Sequence, residues 1–167
     1  MWKSYLLRPE PSERRDLVKF RAYTEGWAKP AAEPDGGTFR VWESDAGPPS
    51  YSVPPHAVAR AAAEIGREAF NRVHGRLFRA YFADNRDITD QRTLREIWRE
   101  CALADAAFER SRADDIEAAV RADHAEATEL GVHGVPAVRI EPNSIATVGA
   151  HSIDVYRRWF LKRLAAD

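Results

Sequence analysis

The stretch Glu129-Leu130-Gly131-Val132-His133-Gly134-Val135-Pro136-Ala137-Val138 decides how this chain is read. Its first residues end a helix. Ile116, Val120, Ala127 and Leu130 recur at helical spacing, and Gly131 suits the left-handed position that closes such a run. Its last residues open a strand directly after Val135-Pro136, where a proline is tolerated because the first residue of an edge strand needs no ladder donor. Working outward, residues 137–140 and 145–148, separated by Glu141-Pro142-Asn143-Ser144, predict a β-hairpin. Ser152 then caps a final helix with Val155, Tyr156, Trp159, Phe160 and Leu164 inward.

Toward the N-terminus, three more helical patterns precede the one ending at Gly131. They are Val58, Ala61, Ala62 and Ile65, ending at Gly66; Phe70, Val73, Leu77 and Tyr81; and Leu94, Ile97, Trp98 and Cys101, with Asp90 as cap. A proline-rich connector from Gly47-Pro48-Pro49 to Pro54-Pro55 marks the main internal boundary. Before it, residues 2–7 read as a short strand stopped by Arg8-Pro9-Glu10-Pro11. A helix capped by Ser12 follows, with Leu17, Phe20, Tyr23 or Thr24, and Trp27 on one face and Pro30 at its end; Phe39-Arg40-Val41-Trp42 is extended.

The chain's 167 residues fit one domain of ordinary size or a small core with a subdomain, and 44% hydrophobic residues with seventeen aromatics exclude a disordered chain. A net charge of -1 supplies no basic field for nucleic acid or an anionic membrane, so neither is expected as a partner. The single cysteine, Cys101, excludes an intramolecular disulfide, a CxxC pair and a multi-cysteine metal site. Lying on the stripe with Leu94, Ile97 and Trp98, it reads as core. His56, His74, His124, His133 and His151 form no HxxxH or HExxH pair, so no metal site is expected. Without an apolar leader or a membrane-length apolar run, the expected location is the cytoplasm.

The segment Gly131-Val132-His133-Gly134-Val135-Pro136-Ala137 resembles the cis-proline segment of the thioredoxin fold as the DsbA superfamily uses it. Arg76-Leu77-Phe78-Arg79-Ala80-Tyr81-Phe82 with Arg86-Asp87-Ile88, and Val148-Gly149-Ala150-His151, resemble its FrnE-like and 2-hydroxychromene-2-carboxylate isomerase branch. The resemblance implies an α/β fold, a thioredoxin-like core with an inserted all-helical subdomain. Residues 1–53 and 132–167 would form the core and 54–131 the insertion. It further implies a cis Val135–Pro136 bond that leaves main-chain groups free for an extended substrate to pair by strand addition.

One departure from the family pattern shapes the functional expectation. Members open on a strand leading into CPxC, or a serine-bearing relative, and no such motif occurs here. Residues 2–7 with Arg8-Pro9 resemble the family's second strand instead, so the chain is expected to start after the redox motif. Its sheet would then hold a central gap of about 9.5 Å, filled either by a partner copy in a homodimer or by residues 39–42. In the competing arrangement, residues 2–7 are the first strand of a βαβ unit and residues 39–42 run parallel beside them. The expected function is that of a thiol–disulfide oxidoreductase relative, redox-inactive with one cysteine. No catalytic residue is assigned. Gly134, Val135 and Pro136 would hold an extended peptide or thiol substrate, with His133 and His151 on the groove rim. A non-catalytic peptide- or glutathione-binding module and a glutathione-dependent isomerase are the alternatives; no cofactor other than glutathione is implied.

Overall fold

The computed structural model describes residues 2–12, 16–34, 36–139 and 146–165. Eight α-helices and one antiparallel strand pair make up their regular structure. Helices α1 (Leu17–Glu25) and α2 (Ala28–Ala31) precede the connector. Then come α3 (Val53–Ile65), α4 (Arg67–Phe82), α5 (Gln91–Glu100), α6 (Asp105–Phe108), a 3-10 turn at Glu109–Arg112, and α7 (Asp114–Glu129). Strands β1 (Ala137–Val138) and β2 (Thr147–Val148) pair with Ala137 opposite Val148, and α8 (Ile153–Leu164) ends the chain. The predicted turn between the strands lies outside the described residues.

The helical body follows from the apolar stripes. Val58, Ala61, Ala62, Val73, Leu77, Leu94, Ile97, Trp98, Cys101 and Phe108 form one buried cluster shared by α3 to α6. Small side chains on α3 let α4 approach closely. Gly66 separates these two helices with φ of 152°, a conformation open to glycine, so the chain turns without a loop. Asp90 caps α5 by accepting from the Thr93 amide at 2.9 Å. Arg76 and Arg86 both bridge to Glu100, tying α4 and the loop after it to the end of α5.

The N-terminal third departs from the sequence reading. Residues 2–7 form no strand. They run over α7 as a strap whose amides are satisfied by side chains: Ser4 N donates to Asp123 Oδ2 at 3.2 Å and Leu6 N to His124 Nδ1 at 3.2 Å. With these two alternate donors taken up by a helix face, the segment is held on α7 and not in a ladder. Leu6 is buried against Val53 and Val120. Residues 39–42 do not enter the sheet either. Arg40 N donates to the Phe82 carbonyl, Trp42 N to Thr24 Oγ1 and Glu43 N to Asn85 Oδ1. This segment instead seats Trp42, wholly buried, against Phe20 and Trp27. Neither the βαβ arrangement nor a gap filled by residues 39–42 is therefore present.

Smaller differences have local causes. Asp16, not Ser12, caps α1, because its carboxylate accepts from both Val18 and Lys19, whereas Ser12 donates to the Ser50 carbonyl. Pro30 sits inside α2 at its third position, where no intrahelical amide is required. On α7 the inward stripe is Ile116, Val120 and the charged Asp123, while Leu130 is exposed. On α8 Tyr156 and Trp159 are half-buried, and Val155, Phe160 and Leu164 are exposed.

Candidate functional site

The end of α7 sets the candidate site. Gly131, at φ of 76°, donates to the Thr128 carbonyl, and Val132 N reaches back to Ala127 O at 2.9 Å. These two bonds are the paired closure of a Schellman motif, which aims the chain away from the helix axis. Val132 is buried, and His133 Nδ1 lies 3.1 Å from the Gly131 carbonyl. Gly134 follows with space for a β-carbon 3.7 Å from Val148, so here glycine is not required by packing.

The Val135–Pro136 peptide bond is cis. Pro136 O accepts from Gly149 N at 2.8 Å, which extends the β1–β2 ladder by one rung and joins the two ends of the hairpin. Tyr156 of α8 locks that junction by donating to Gly149 O at 2.9 Å. His151 packs edge-on against the Tyr156 ring at 5.7 Å. Gly134, Val135 and Pro136 thus lead into β1, His151 stands beside Tyr156 at the end of the hairpin, and His133 turns back toward the Gly131 carbonyl. Val135 is half exposed, and among the described residues its main chain has no hydrogen-bond partner. Among those residues β1 pairs with β2 alone, leaving its other edge open.

Cys101 stands apart from this turn. It caps α5 inside the helical core at 7% exposure, and burial pushes its thiol up, the reverse of what an attacking thiolate needs. Among the described residues no cluster of His, Cys, Asp or Glu is arranged to hold a metal ion, and no helix is long and apolar enough to cross a membrane.

A second constellation escapes the motif search because it is assembled from three helices. His56 of α3, His74 of α4 and His124 of α7 gather beneath the strap. Burial pushes His56 down to about 4, the neighbouring His74 adds to the effect, and Asp123 opposes it. Burial lowers His74 as well. Trp2 lies 4.8 Å from the His74 ring and Tyr5 5.0 Å from that of His124. Lys3 reaches Asp123 and Glu126, and Arg60 reaches Asp123 at 3.1 Å. The signal available in sequence was modest: His74 follows the buried Val73, and His124 stands four residues after the buried Val120.

Comparison with known proteins places these features. Residues 46–160 match the family described as DSBA-like thioredoxin domain. The fold is similar to that of a candidate protein disulfide isomerase from Nitrosomonas europaea, with a TM-score of 0.80 and 15% identity over 95% of this chain and 79% of that one. It is also similar to the cytosolic disulfide reductase DsbM from Pseudomonas aeruginosa, with a TM-score of 0.73 and 18% identity over 99% of this chain and 83% of that one. At such identities the likeness is one of fold. No curated protein matches the chain.

Proposed function

This chain belongs to the DSBA-like thioredoxin family, an α/β thioredoxin-like fold with a helical insertion, and from that premise we propose that it holds an extended peptide at Gly134, Val135 and Pro136. His133 and His151 stand on the rim of that groove. The observation that carries the reading is that, among the described residues, the main chain of Val135 has no partner and the adjoining edge of β1 is open. An extended peptide adds to such an edge as a further strand, with main-chain bonds supplying affinity.

Thiol–disulfide exchange needs a thiolate that attacks a disulfide sulfur and a second thiol that resolves the mixed disulfide. Cys101 is the one cysteine in residues 1–167, and its burial and raised thiol remove it from that role. We therefore assign these residues the peptide-holding step and no redox step. Within the family, the stretches Arg76 to Phe82 and Val148 to His151 favour the FrnE-like branch.

Titration of a fluorescein-labelled extended peptide, with serine in place of cysteine, tests the reading by anisotropy. Wild type is expected to bind at micromolar concentration. Val135→Pro, which deletes the Val135 amide donor, is expected to weaken binding about tenfold, in line with the loss of one main-chain bond of about 1 kcal/mol or slightly more. Perturbation of the Val135 amide resonance on adding peptide to wild type gives the same answer without a variant. Absence of binding, or equal affinity in Val135→Pro with an undisturbed Val135 amide, would sink the proposal.

A further inference from the structure

We infer that residues 2–6 form a pH-sensitive latch, closed over α3, α4 and α7 while His124 is neutral and opened when His124 takes up a proton. The Leu6 amide donates to His124 Nδ1 at 3.2 Å. An imidazole nitrogen accepts only while it carries no hydrogen, so this bond requires the neutral ring with its hydrogen on Nε2. Protonation places a second donor at Nδ1, facing the Leu6 amide, and the bond is replaced by two opposed donors. The Tyr5 ring, edge-on to the same imidazole at 5.0 Å, leaves it only as the segment lifts.

The surrounding charges push in the same direction. Around His124 the charged and titratable groups are Tyr5 against its ring, His56 of α3, which feels both His124 and His74 of α4, and Asp123 with Glu126 on α7, paired with Lys3 of the strap and Arg60 of α3. Lys3 and Arg60 already balance Asp123 and Glu126, so with neutral histidines the net charge here is zero. Each proton added to His124, His74 or His56 is uncompensated, and it lies beneath a segment that carries Lys3. Burial holds His56 and His74 in their neutral forms at neutral pH, which keeps the floor of the latch uncharged.

The following residues are anchored by contacts that involve no histidine. Arg8 N donates to Ser52 Oγ and Ser52 N to Arg8 O, both at 2.9 Å, and Arg121 donates to the Pro9 carbonyl while pairing with Glu117 and Glu10. Opening therefore pivots near Leu7 and leaves the rest of the segment in place. It would free Trp2 from Phe70 and His74 and bare the aromatic row of α4, in which Phe70, His74, Phe78 and Phe82 recur every fourth residue.

Amide exchange of Ser4 and Leu6, measured by NMR at pH 8 and pH 5 and expressed relative to intrinsic rates, tests the latch in the intact chain. The amides of Arg8 and Ser52, on the anchored side of the pivot, serve as reference. In wild type, protection of Ser4 and Leu6 is expected to fall at least tenfold at pH 5 while the reference amides hold. His124→Asn, whose Oδ1 offers an acceptor that does not titrate, is expected to remain protected at both pH values. Unchanged protection in wild type would overturn the inference, whether or not the variant folds. So would a fall shared with the reference amides, or a fall in His124→Asn equal to that of wild type.

Discussion

Ala102 and Asn85 share an unusual backbone, with φ of 54° and 51°, and they answer for it differently. The left-handed region costs a residue with a β-carbon roughly 1–2 kcal/mol, and glycine avoids the clash. Asn85 recovers that cost through its side chain, whose Oδ1 accepts from the Glu43 amide at 2.8 Å and helps seat residues 40–43. Ala102 has no side-chain bond to offer; only its amide is engaged, with the Arg99 carbonyl. Ala102→Gly is therefore expected to stabilise the protein by about 0.5–1 kcal/mol, after glycine's greater freedom in the unfolded chain is subtracted. Asn85→Gly is expected to destabilise it despite the same backbone argument. Urea denaturation of the two variants decides the matter, and a loss of stability in Ala102→Gly would contradict the strain assigned to that position.

Elements whose cause is local were legible in the sequence, and elements held by distant side chains were not. Gly131 ends α7 and Asp90 caps α5 through bonds spanning a few residues, so spacing and residue type sufficed to place them. The turn at Gly134, Val135 and Pro136 was legible only through the resemblance of residues 131–137 to the DsbA superfamily, because a proline ahead of a strand is by itself compatible with a trans bond. The strap was not, because its acceptors lie 118 and 119 residues away on a helix face, and strand-like composition says nothing of which partner satisfies the amides. The histidine group was missed because each ring sits on a different helix, so no spacing rule on one helix reveals it. The strap nonetheless contributes to the core through Leu6, 2% exposed against Val53 and Val120. Truncation of such a side chain costs about 2–5 kcal/mol. Leu6→Ala is thus expected to destabilise at the upper end of surface-segment variants, and a change below about 0.5 kcal/mol in urea denaturation would show that the strap floats on the helices.

Across the whole molecule, acid sensitivity follows from which groups the fold keeps neutral. His56 is held at about 4 against an ordinary value of 6.5, chiefly by burial among α3, α4 and α7, and His74 is displaced in the same direction. A histidine whose folded value is lowered binds its proton more readily in the unfolded chain. Its stabilising contribution is therefore complete above about pH 6.5 and is lost as the pH falls toward 4. At about 1.4 kcal/mol per unit of displacement, His56 alone accounts for a loss of up to about 3 kcal/mol, a sizeable part of the 5–15 kcal/mol typical of a domain. Carboxylates act lower on the scale. Asp90 is held down chiefly by the Thr93 amide, and Glu100 by Arg86 and Arg76 against an opposing desolvation, so their contributions persist above their ordinary values and disappear below about pH 4. Stability is accordingly expected to decline in two stages, first through the histidines and then through the carboxylates. Urea midpoints at pH 7.5, 6, 5 and 4.5 trace the first stage, and His56→Gln, which cannot take up a proton, is expected to flatten it. Equal midpoints from pH 7.5 to 4.5 in wild type, or an undiminished decline in His56→Gln, would remove His56 as its source.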